Sequence, residues 1–134
     1  MSLHVAIVSI FFLAMGLTAL YDPLMITSYF DLISVPAPFG NEIRAVYGGF
    51  GIAVAGTLIL GEFKTTFRPG ILVTTSLALF GMAGGRLVSG FIADDLAGYP
   101  QIFFLLECTL GSLLLVVLNA STQPAKSRRA LEHR

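Results

Sequence analysis

The sequence predicts an all-α protein: a four-helix transmembrane bundle with both termini on the cytoplasmic side. Three features carry that reading. Hydrophobic residues make up 55% of the chain and charged ones 12%, against about 25% charged in soluble domains. Four apolar runs are each long enough to cross a bilayer. The basic residues gather on one side of those runs. A soluble fold could not cover so apolar a surface, whereas lipid tails accept apolar side chains directly.

A spanning helix needs roughly 20 mostly apolar residues to cross about 30 Å of hydrocarbon. The first run, 3–20, holds no Lys, Arg, Asp or Glu. Its leader, Met1-Ser2-Leu3-His4, lacks the cationic start of a secretory signal. The run also exceeds the usual signal core of about 7–15 residues, so it is expected to stay as a span. The second run, 43–60, opens at the charged edge of Glu42 and Arg44. The third, 71–93, is interrupted by Arg86, and the fourth, 102–119, by Glu107. Segment 21–42 carries Pro23, Pro36 and Pro38, which break regular helix. Its apolar part, Leu24 to Val35, is expected to lie on or dip into the membrane interface. Residues 1–119 thus form one domain. The polar, basic stretch 120–134 is expected to be a disordered cytoplasmic tail.

Orientation follows from Lys and Arg placement. With both termini inside, Lys64, Arg68, Lys126, Arg128, Arg129 and Arg134 are cytoplasmic. The outer side then holds Asp22, Asp31, Glu42, Asp94 and Asp95, with Arg44 as its one cation. Tyr21, Tyr29, Tyr47 and Tyr99 fall near the outer boundary, where amphipathic rings anchor helices. The expected location is a bacterial inner membrane, as a multi-pass protein.

Close packing in lipid relies on small residues. Gly49, Ala53 and Gly56 form a stripe on the second run, Gly81, Gly85 and Ser89 on the third, and Gly111 follows Glu107 on the fourth. These stripes are expected to face inward, the alternative being that one serves as a dimer face.

The charges within the spans carry the most information, since a lone charge at the bilayer centre costs about 2.5–3.5 kcal/mol on insertion scales. At 1.5 Å per residue, Arg86 lies about 12 Å below the outer boundary and Glu107 about 9 Å below it. A short loop joins the two runs, making them antiparallel neighbours, so an Arg86–Glu107 ion pair is expected. Arg44 and Tyr47 share a helical face near the same level. Glu42, Arg44, Tyr47, Arg86 and Glu107 therefore form a candidate polar cluster, either a structural clasp or a ligand site. They define no nucleophile and base.

Other chemistry is poorly supported. The one cysteine, Cys108, excludes an intramolecular disulfide. Asp94-Asp95 could bind a divalent cation with Asp22 or Asp31, but such a pair more often ends a helix, and no metal or other cofactor is expected. No phosphate loop or nucleic-acid motif is present.

The stretch Asn41-Glu42-Ile43-Arg44-Ala45-Val46-Tyr47-Gly48-Gly49 resembles the opening of the second helix in a family of small bacterial membrane proteins classed only as a domain of unknown function. Gly85-Arg86-Leu87-Val88-Ser89 is similar to that family's third-helix motif, and Glu107 with Gly111 to its fourth-helix pattern. The resemblance runs from the first helix to Asn119 and implies four helices with the same polar cluster. In layout the chain also resembles DoxX-like four-helix proteins, more weakly. Neither likeness implies an activity.

Two function classes follow. One is a non-enzymatic accessory or assembly subunit of a larger membrane complex, or a stand-alone structural protein. The other is a binder or carrier of a small amphiphile, lipid or quinone-like, at the outer polar cluster. Expected partners are membrane lipid and other membrane subunits or further copies of the chain, with no nucleic acid.

Overall fold

The computed structural model describes residues 2–93 and 97–132, with side chains described for 2–92 and 97–121. Every regular element among them is helical, and four spans are long and apolar enough to cross a membrane. The first is α1 (Leu3–Tyr21). Ser2 caps it, its hydroxyl accepting from the Val5 N–H. Asp22 ends it and caps the next helix, accepting from the Leu24 N–H at 2.9 Å. That helix, α2 (Pro23–Thr27), starts with proline where its missing N–H does no harm. A single 3-10 turn, Ser28–Phe30, follows and stops at Asp31 in the left-handed region, φ 58°. Ile26 and Thr27 are buried, so this expected interface segment packs on the end of the bundle.

The second span begins earlier than its apolarity implies. It comprises α3 (Ala37–Ile43), a π-helical stretch (Arg44–Gly49) and α4 (Phe50–Phe63). Pro38 sits in the first turn, where proline starts a helix instead of breaking one. In the π stretch the Phe50 N–H bonds the Ala45 carbonyl, five residues back. The third span is α5 (Arg68–Ala93), the fourth α6 (Tyr99–Glu132). The backbone of α6 is helical through Glu132. Asp94 and Asp95 lie outside the described residues.

The spans form an up-down ring: α1 packs on α4, α4 on α5, α5 on α6, and α6 returns to α1. Val5, Val8, Phe12, Ala55, Leu58, Leu72, Leu79, Leu110, Leu114 and Val117 form the shared core. Ala19, Ile26 and Ile43 form a second cluster under α2. Large side chains such as Phe91 (88% exposed) and Ile92 (81%) point outward, as a lipid-facing surface requires.

The close helix approach is not on the expected stripes. A Cβ on Gly16 would lie 2.9 Å from the Gly48 carbonyl oxygen, and one on Gly51 would lie 3.1 Å from the Phe12 oxygen. The contact therefore runs through Gly16, Gly48 and Gly51. Added carbons at Gly56, Gly81 and Gly85 would meet nothing within 4 Å. Small residues lie on more than one face of the second span, and the partner helix decided which face is used. Gly111 does face inward, against the Phe80 ring, and its carbonyl accepts from the Ser76 hydroxyl.

Candidate functional site

Arg86 on α5 and Glu107 on α6 meet side-on. Nε donates to Oε2 at 2.9 Å and to Oε1 at 3.1 Å, and Nη2 donates to Oε1 at 2.8 Å. The Glu107 side chain is 7% exposed and that of Arg86 23%. Both carboxylate oxygens are thus satisfied in a site where an unpaired charge would be costly. Phe103 lies one turn before Glu107 on α6, and its ring centroid is 5.1 Å from the Arg86 Cζ. The guanidinium is held at its edge by a carboxylate and sits over an aromatic ring.

The pair forms part of the wall of a cavity of about 710 Å³. Phe11, Phe12, Met15 and Thr18 of α1 line one side, and Val46, Tyr47 and Phe50 of the second span another. Met82, Gly85, Arg86 and Ser89 of α5, with Pro100, Phe103 and Glu107 of α6, complete the ring, and Ile26, Tyr29 and Phe30 close over the end. Tyr29 meets Tyr99 edge-on at 5.2 Å and Phe103 at 6.0 Å, while Phe30 stacks on Phe103 at 6.4 Å. Tyr99, Phe103 and Glu107 repeat every four residues and so share one face of α6. The volume falls within the roughly 300–1,000 Å³ of small-molecule sites, and so does the character of an apolar lining with a few polar groups.

Of the five residues in the candidate cluster, Tyr47, Arg86 and Glu107 share this cavity. Glu42 and Arg44 do not line it. Glu42 is exposed. Arg44 turns to α1, its Nε donating to the Leu20 carbonyl at 3.2 Å, where a cation complements the negative end of the helix. The π-helical stretch separates the roles, setting Arg44 against α1 and Tyr47 toward the cavity.

Reading the charges alone missed two features. One is the aromatic lid and wall, of which Phe103 was visible as the residue one turn before Glu107. The other is a polar knot at the opposite end of the bundle. Glu62 accepts from the Ser2 N–H at 3.0 Å and pairs with Arg68 Nη2 at 3.0 Å. It ties together the starts of α1 and α5 and the end of α4.

Comparison with known proteins adds a family but no activity. No curated protein and no solved structure matches the chain. A family model covers residues 1–118, a stretch that contains α1 to α5, the cavity and the Arg86–Glu107 pair. The chain belongs to the family described as Domain of unknown function (DUF4345).

Proposed function

We propose that this protein is a non-enzymatic, multi-pass protein of a bacterial inner membrane that binds a small amphiphile, a lipid or a quinone-like molecule, in the cavity bounded by Tyr47, Arg86 and Phe103. Both termini face the cytoplasm. The observation that carries the reading is the cavity itself: about 710 Å³ lined by aromatic and apolar side chains, with a paired guanidinium in its wall. A clasp that only fixed helix order would need the ion pair but no cavity beside it.

The test is a single hydroxyl. Tyr47→Phe keeps the ring and removes one hydrogen-bonding group, worth about 0.5–1.5 kcal/mol to a ligand. Amphiphile retained by the purified protein is expected to fall several-fold, as read by solvent extraction and mass spectrometry, with the melting temperature nearly unchanged. Finding no specifically retained amphiphile in the parent, under several mild detergents, overturns the proposal.

A second reading, an accessory subunit of a larger membrane complex, is favoured by the open face of α5, where Gly81 and Gly84 have nothing within 4 Å of an added Cβ. Protein that co-purifies in stoichiometric amount would support it.

A further inference from the structure

The charge balance of the cavity narrows what occupies it. The Arg86–Glu107 pair is net neutral, and both oxygens of Glu107 are already engaged by Arg86. An anionic head group reaching Arg86 would stand beside a buried carboxylate with no further cation lining the cavity among the described residues, and like charges at such close quarters repel strongly. A cationic head would stand beside the Arg86 guanidinium, with one carboxylate shared between two cations.

Donors, by contrast, are in surplus. A guanidinium has five N–H groups. The ion pair uses Nε and one N–H of Nη2, so three remain without a partner among the described residues. Tyr47, also on the cavity wall, brings a hydroxyl that has no partner among them either. The Arg86 Cζ lies 5.1 Å from the centre of the Phe103 ring, and guanidinium N–H groups donate in their own plane. An acceptor must then approach in the guanidinium plane, beside the rings of Phe103, Tyr29 and Phe30. Flat groups satisfy that geometry, and aromatic rings stack on them favourably.

We infer that the cavity takes an amphiphile whose head is uncharged, flat and carbonyl-bearing, the carbonyl oxygen accepting from the outer edge of Arg86. This rests on the amphiphile-binding reading and names the ligand class within it. Arg86 binds the head, and Glu107 sets the selectivity by cancelling the charge of Arg86.

Three probes with equal decyl tails separate the terms: a benzoquinone, a benzenesulfonate and a methyl ester without a ring. Binding to the full chain in a neutral maltoside detergent is read by native mass spectrometry. The quinone is expected to bind about tenfold or more tighter than the sulfonate, the scale of one uncompensated charge, and tighter than the ester. Glu107→Gln removes the charge and is expected to raise the ratio of sulfonate to quinone affinity about tenfold. Should Glu107→Gln fail to fold, Tyr47→Phe serves instead: quinone binding is expected to fall several-fold, with the melting temperature nearly unchanged.

A sulfonate that binds the parent as tightly as the quinone overturns the assignment of an uncharged head. An ester that matches the quinone overturns the flat ring and gives the site to a lipid ester. If the parent retains a native amphiphile but binds none of the probes, this inference fails and the amphiphile reading stands. If it binds no probe and retains no amphiphile, both fail.

Discussion

At Arg86 the guanidinium gives Nε and Nη2 to one carboxylate and sits over the Phe103 ring. Two long side chains from adjacent helices are thereby fixed in one geometry deep in an apolar bundle. Replacing either residue alone leaves the other buried and uncompensated, a loss of about 3–5 kcal/mol in soluble cores. Arg86→Ala and Glu107→Ala are each expected to destabilise strongly. The double variant should lose clearly less than the sum, because it removes both charges together. A double-mutant cycle on thermal stability in detergent reads the coupling, and strictly additive losses would contradict the pair.

Between elements, stability comes from how closely backbones approach, since lipid provides no hydrophobic drive to associate. Gly16 is the tightest such point: an added Cβ meets the Gly48 carbonyl and the Ile52 backbone N–H at 2.9 and 3.0 Å. Those backbone atoms can retreat only by separating α1 from α4. Gly16→Ala is therefore expected to destabilise by about 1–3 kcal/mol, the usual scale of overpacking. Gly81→Ala meets open space and should be neutral or stabilising by up to about 1 kcal/mol through helix propensity. Melting curves of the two variants in one detergent decide it. A loss at Gly81 comparable with that at Gly16 would mean that α5 packs on a partner through its open face.

For the whole molecule, the bundle has one end built from α2 and the aromatic lid, and another where Ser2, Glu62 and Arg68 meet. That knot sets the start of the chain beside the loop between α4 and α5. Lys64 and Arg68 belong to this end, which the proposed orientation places on the cytoplasmic side. Reporter fusions at Lys64 and Arg134 are expected to read as cytoplasmic and one at Gly98 as periplasmic. A periplasmic signal at Arg134 would invert the orientation and move the cavity to the inner leaflet.

The sequence by itself determined the helical class, the four spans and the meeting of Arg86 with Glu107. Each depends on quantities that run along the chain: apolar length, and depth counted at a fixed rise per residue. Rotation about each helix axis is a different matter. In lipid the outward face is as apolar as the inward one, so apolarity does not mark the packed side. Only the tertiary structure decided that Gly48 and Gly51 face α1 in place of Gly49 and Gly56. It also turned Arg44 to the end of α1 while Tyr47 faces the cavity. The cavity belongs to the same category: it is a gap among five helices and a turn, and its size follows from how far apart their backbones are held.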